Sequence, residues 1–296
     1  MTDIPAAQAP APGTLNLDHI AHFVPDIDAA STALERLGYT LTPFSPQSHR
    51  LTEGGPLVPA GTGNRCVMLE HGYLEFLTPT ADTPIAQQLH AAIARYTGVH
   101  LIAFGTSAPE ADVARLTEGG FQPLPAVALQ RPIGTETGTG TARFSVERVA
   151  PGTMAEGRIQ FCQQHTPELL WQARWTAHRN TVVGLEAVLL CVTDTAEAAE
   201  RYARYTGLAV DRNDDGWTAN TARGRLICLS VDAVRRHWKI DPPALPWLAG
   251  SVQTARDLDV LATYLQNGGC PTWREGDTLR AQWPAELGGM VIYRKA

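Results

Sequence analysis

The sequence predicts an α+β protein of four βαβββ units that pair into two cupped, mixed-sheet halves. Three observations carry this. A strand, helix, glycine, three-strand order recurs along the 296 residues. Two histidines, His19 and His100, lie in look-alike apolar runs, and each is followed at a similar distance along the chain by Glu75 or Gln160. The helical stretches stop at glycine in matching places, at Gly38, Gly119-Gly120, Gly207 and Gly268-Gly269.

Each unit follows the same order. The first opens with a β-rich run over 17–24 and a helix over 27–37. A second strand over 39–43, a Gly- and Pro-rich loop to Gly63, and a hairpin of 65–70 and 72–78 turning at His71-Gly72 complete it. The second unit has a strand over 99–104, a helix over 109–116 and strands over 121–129, 142–149 and 158–163. The third has 184–192, a helix over 196–205, then 209–211, 217–221 and 225–230. The fourth has 247–254, a helix over 255–266, then 272–274, 279–283 and 290–293. Residues 1–14 read as a disordered Ala- and Pro-rich tail, 15–180 as the first domain and 181–296 as the second, with the boundary near Arg179-Asn180-Thr181.

Composition narrows the function class. A chain of this length buries roughly 75% of its unfolded surface, enough for about two domains. The net charge of −6 and pI near 5.8 argue against nucleic acid, which requires a basic footprint. Five cysteines with no CxxC pair read as reduced core thiols. The N-terminal tail lacks a signal peptide's basic start and apolar core. The longest apolar stretch, 182–192, is about half a membrane span and contains Glu186. The expectation is a cytoplasmic protein that meets a small-molecule substrate, engages neither nucleic acid nor membrane, and is compatible with a homodimer.

Strand parity supplies the chemistry. Alternate side chains share a face, so His19 goes with Leu17, Ala21 and Phe23, while His22 points away. By the same rule Glu75 goes with Tyr73 and Leu77, His100 with Ile102 and Phe104, and Gln160 with Arg158 and Cys162. A pseudo-twofold axis relating the first two units would bring His19, Glu75, His100 and Gln160 together. Two imidazoles, a carboxylate and an amide oxygen suit one divalent metal (Zn, Ni, Fe, Mn or Co) with an open position. Set against this, a strand histidine is more often a hydrogen-bonded core residue than a ligand, and Glu75 could be an edge charge.

Four weaker signals concern substrate. The run Gly61-Thr62-Gly63-Asn64-Arg65 reads either as a loop holding a substrate carboxylate through Asn64 and Arg65 or as an ordinary glycine turn. His165 and Trp171 follow the last strand of unit two and are expected at the pocket. The Gly/Thr alternation over 134–141 reads as a mobile loop or lid. Asp214-Asp215-Gly216 reads as a hairpin turn.

The four units, the Leu17-Asp18-His19-Ile20 opening and the Tyr73-Leu74-Glu75-Phe76 strand resemble the vicinal oxygen chelate superfamily, in particular its glyoxalase-like branch. The resemblance implies a cupped sheet around a metal held by His19, Glu75, His100 and Gln160. It also implies a substrate that chelates this metal, and a lyase or isomerase reaction with Glu75 as the catalytic base. Glutamine at 160, where glyoxalase I carries an acid, departs from the pattern. So does the second half, with Ala187 where the first has His19. Two other classes stay open: extradiol-type dioxygenase chemistry, which the His, His, Glu set also suits, and a sequestering protein that binds a small molecule without reaction.

Overall fold

A computed structural model describes residues 4, 6–50 and 55–296. Unit one comprises β1 (Asn16–Phe23), α1 (Ile27–Arg36), β2 (Ser45–Arg50), β3 (Leu57–Met68) and β4 (Tyr73–Pro79), and α2 (Pro84–Arg95) links it onward. Unit two comprises β5 (Gly98–Gly105), α3 (Pro109–Glu118), β6 (Val127–Thr135), β7 (Gly138–Arg148) and β8 (Arg158–Gln164), followed by two short turns, α4 (Pro167–Leu170) and α5 (Ala173–Thr176). Unit three is β9 (Val182–Val192), α6 (Thr195–Thr206), β10 (Val210–Asn213), β11 (Gly216–Asn220) and β12 (Arg225–Ser230), with α7 (Val231–Trp238) after it. Unit four is β13 (Trp247–Ala255), α8 (Leu258–Asn267), β14 (Thr272–Glu275), β15 (Thr278–Gln282) and β16 (Met290–Lys295).

Local chemistry sets the repeated helix starts. Asp26, Asp194 and Asp257 each accept two backbone N–H bonds at the first turn of α1, α6 and α8, satisfying donors the helix leaves unpaired. Asp257 therefore starts the last helix at Leu258, later than the expected 255. Gly38 ends the first helical segment at φ +85°, and a Cβ there would lie 2.8 Å from the Tyr264 ring, so both conformation and packing require glycine.

Within each unit the first strand runs parallel to the last, and within each half the two first strands run antiparallel. The first half is therefore a curved ribbon ordered β2-β3-β4-β1-β5-β8-β7-β6, and the second is β10-β11-β12-β9-β13-β16-β15-β14. Leu248 and Val99 join the two ribbons through β13 and β5. One face of each ribbon, with α1, α3, α6 and α8, contributes to a single large core that includes Leu17, Ile20, Phe76, Phe104, Phe161, Tyr202 and Trp217. The opposite, concave faces form the cups.

Several elements differ from the expected ones. The second strand of unit one lies at 45–50, where it pairs with β3, and β3 takes in Gly61 to Arg65 as strand. The 134–141 segment belongs to the β6–β7 hairpin, which closes at Thr135 and Gly138. Ala6–Gln8 form a 3-10 turn, and buried Gln8 donates to the Glu70 carbonyl at 2.7 Å while accepting from Gly72 and Arg223. These hydrogen bonds to distant parts of the chain order part of the expected tail. Residues 1–3 and 5 of the tail, and 51–54 of the first-unit loop, lie outside the described residues. All five cysteines are buried free thiols. Among the described residues no helix is long and apolar enough to cross a membrane.

Candidate functional site

The strand register builds two rows across the floor of the first cup. One runs Cys66, Glu75, Ala21, Leu101, Arg158, and the next Met68, Tyr73, His19, Ala103, Gln160, Arg148. Alanines at the centre leave the middle of the floor low, with polar side chains on both flanks. Apolar residues close the ends. Leu89 of α2 packs against Phe23 and Leu77 on one side, and Leu170 and Trp171, carried across the cup after β8, pack against Cys66, Met68 and Tyr73 on the other.

Two β-bulges decide which side chains face this floor. Asp18 is the extra residue between the pairs Leu17–Phe104 and His19–Ala103, and His100 is the extra residue between Ala21–Leu101 and His22–Val99. A bulge reverses parity along the strand. Leu17 accordingly joins the shared core, whereas Ala21 and Phe23 belong to the cup cluster. Because β4 pairs Tyr73 with His19 and β8 pairs Arg158 with Leu101, the two-unit symmetry equates His19 with Leu101 and Asp18 with His100. His100 lies three residues along β5 from the partner of His19, roughly 10 Å at ~3.3 Å per residue.

The surroundings of the two imidazoles differ accordingly. His19 is buried and stacked on Tyr73, with ring centroids 4.3 Å apart. Its Nδ1–H donates to Asp18 Oδ1 at 2.6 Å, which fixes the tautomer and leaves Nε2 as the free ring nitrogen. His100 Nε2–H donates to the Tyr96 carbonyl at 2.8 Å, and the ring is packed between Tyr96 and Phe23. Burial pulls its pKa down to about 4, so it is neutral at pH 7. His22, on the opposite face, donates from Nδ1 to the Leu287 carbonyl at 2.9 Å.

On the other flank, Glu75 Oε1 accepts a short hydrogen bond from Asn64 Nδ2, and Asn64 Oδ1 accepts from Arg131 Nη1 at 3.2 Å. This chain crosses from unit one to the β6 strand of unit two. Asn64 and Trp171 therefore sit at the cup. Arg65 instead stands opposite Phe76 on the convex face and donates to the Thr42 carbonyl; His165 is exposed. A cavity of about 100 Å³ lies between β1, β5, β8 and the N-terminal segment, lined by Asp18, Ser107, Cys162 and Gln164 among others. Asp18 Oδ2, Gln164 Oε1 and Ser107 Oγ are buried there without hydrogen-bond partners.

A first-row metal centre needs three or four convergent donors. Among the described residues, no group of three or more His, Cys, Asp or Glu side chains is placed to hold a metal ion. His19, Glu75 and Gln160 share the cup floor, but the Tyr96 carbonyl engages His100 Nε2 away from it. The residues present do not fit the four-ligand set.

Residues 17–206 match the family of glyoxalase-like domains. The chain belongs to that family. No curated protein matches the sequence. Among solved structures, this glyoxalase-like protein is similar to a hypothetical protein from Staphylococcus aureus at 11% identity and TM-score 0.64, covering 95% of this chain and 100% of that one. It is similar to the Mn(II)-bound glyoxalase from Novosphingobium aromaticivorans at 12% identity and TM-score 0.52, covering 95% and 82%. It also matches half of a fusion protein of a xylose isomerase-like TIM barrel and 4-hydroxyphenylpyruvate dioxygenase, at 12% identity and TM-score 0.51, with 98% of this chain covered. At these identities the likeness is one of fold.

The floor of the second cup of this glyoxalase-like protein is apolar and is covered by helix α7. Val234 and Trp238 of α7 pack into it against Ala187, Leu189, Ala249, Val252 and Met290. The polar floor belongs to the first cup. Sequence reasoning missed Asp18, Arg131 and Gln164, since an Asp next to a His in a regular strand would face away from it. Arg131 carried no signal, because its contact with Asn64 depends on sheet curvature.

Proposed function

We propose that the first cup is the reaction centre of a glyoxalase-type isomerase or lyase acting on a small oxygenated substrate. The observation that carries this reading is the buried Asp18–His19 pair on the same floor as the Glu75–Asn64–Arg131 chain. Asp18 holds the His19 tautomer with Nε2 free, the arrangement of a general base whose imidazolium a carboxylate then stabilises. His19 takes a proton from a hydroxyl-bearing carbon beside a substrate carbonyl, which in a 2-oxoaldehyde is the hydrated aldehyde carbon, giving an enediolate. The His19 imidazolium then returns the proton to the neighbouring carbon, while the Glu75 carboxylate, one row away on the adjacent strand, accepts a hydrogen bond from the substrate hydroxyl and orients it. Proton loss and gain balance, so the step needs no outside co-reactant. General acid–base catalysis of this kind contributes about 10²–10⁴-fold.

A Mn(II)-bound glyoxalase shares the fold, but the donors here do not fit a metal centre. The missing three-donor set also favours a second reading, a sequestering protein that binds without reaction. One experiment separates these. The purified full chain is offered 2-oxoaldehydes and catechols in D₂O, turnover and solvent deuterium in the product are followed by NMR, and metal content is measured by elemental analysis. Turnover with solvent deuterium that His19→Asn and Glu75→Gln each abolish supports the proton shuttle. One metal per chain that disappears in the His19→Ala/His100→Ala double variant overturns it in favour of metal dependence, and tight binding with no turnover assigns sequestration.

A further inference from the structure

We propose that the cup takes an anionic substrate, a small molecule bearing a carboxylate or similar oxyanion, and that Arg148 and Arg158 are the residues that hold it. The inference rests on the reading of the first cup as the working site and names the charge of what enters it.

Arg158 lies two residues before Gln160 on β8, and Arg148 is the β7 partner of Gln160, so both side chains share the face that carries His19 and Glu75. Both are partly buried. Neither makes a hydrogen bond or ion pair with any described residue, and Arg148 Nε is buried without a partner. Four other arginines are ion-paired, Arg201 with Glu156 and Glu197, Arg115 with Asp112, Arg225 with Glu186 and Arg280 with Glu275, and the part-buried Arg65 and Arg223 donate to carbonyls. Two guanidiniums that repel each other while partly desolvated are costly unless a counter-charge arrives. Their mutual effect is visible, since burial and the charge of Arg148 both push the Arg158 pKa down.

Among the described residues no carboxylate forms an ion pair with either guanidinium. Glu75 is within electrostatic range of Arg158, but Asn64 holds its Oε1. With Arg131 on the same floor, three guanidiniums outnumber the two carboxylates there, Glu75 and the Asp18 that His19 engages, inside a chain whose net charge is −6. The Arg158 Cζ lies 6.0 Å from the centre of the Phe23 ring, and its guanidinium donors are unused. An unused, planar donor edge is what a carboxylate or phosphate engages in bidentate fashion.

The test is binding to the full chain, read by calorimetric titration and thermal denaturation at low ionic strength. The probes are oxalate, inorganic phosphate and the neutral isostere oxamide. Oxalate or phosphate binds one per chain and raises the melting temperature, oxamide does neither, and the tighter of the two anions identifies the oxyanion class. Arg148→Met and Arg158→Met each weaken anion binding at least tenfold while the ligand-free protein melts no lower than wild type, because an unpaired charge has been removed. Arg143→Met, on an exposed residue of the same β7 strand, leaves binding unchanged. The proposal is overturned if oxamide matches the anions, or if the ligand-free Met variants melt lower while anion binding is unaffected, which would make the guanidiniums structural. His19→Asn is expected to keep anion binding. Loss of turnover in that variant with binding intact supports both readings, whereas unchanged turnover defeats the proton shuttle and leaves the anion site standing.

Discussion

Replacing Glu147 with glutamine should make the protein more stable at pH 8 and leave it nearly unchanged at pH 5. Glu147 is buried on the convex face of β7, and its Oε2 has no hydrogen-bond partner. Burial first, then the negative charge of Asp112, raises its pKa from the ordinary 4.5 to about 7. A carboxyl raised in the native state binds its proton more tightly there than in the unfolded chain. Its contribution is therefore present below pH 4.5 and is lost as pH rises through 7. The interval between 4.5 and 7, at 1.36 kcal/mol per pH unit, amounts to about 3 kcal/mol in full. Residual solvent screening at this partly solvated carboxyl reduces this to about 2 kcal/mol. Glutamine reproduces the neutral form at every pH, so Glu147→Gln should melt roughly 4–8 °C higher than wild type at pH 8, taking 2–4 °C per kcal/mol. His22, His100 and His178, held at about 4 by burial, lose stability as pH falls below their unfolded value near 6.5. They act alike in both proteins, so the difference between the two melting curves isolates Glu147. A variant that melts at or below wild type at pH 8, or a difference that does not change between pH 5 and 8, would refute the reasoning.

Two further outcomes are expected. Asp18→Asn should lower turnover about 100-fold by releasing the His19 tautomer while the far-UV circular dichroism stays that of wild type; steady-state kinetics checks it, and equal activity would remove Asp18 from the site. Trp171→Ala empties the wall against Tyr73, Met68 and Cys66 and should cost about 3–5 kcal/mol in urea denaturation, with the linear slope unchanged if the fold is kept.

The repeated architecture was legible in the sequence because its causes are local. Asp at the helix starts, glycine at the stops and alternating apolar strands act within a few residues of one another, and the structure has four βαβββ units in the expected order. The strand faces of Glu75 and Gln160 were legible for the same reason, since period two runs unbroken through β4 and β8. Parity failed at Asp18 and His100, where one extra residue in a strand is defined only against the partner strand. That register made His19 equivalent to Leu101 and turned His100 toward Tyr96, which no spacing along the chain could reveal. Helices α2 and α7 were not expected at all, and they decide which cup is covered: α7 carries Trp238 into the second, and α2 leaves the polar floor of the first intact. The Arg131–Asn64–Glu75 chain and the unpaired Arg148 and Arg158 exist only because a curved sheet brings residues from distant parts of the chain onto one floor. Local propensity fixes elements; long-range register fixes what they face.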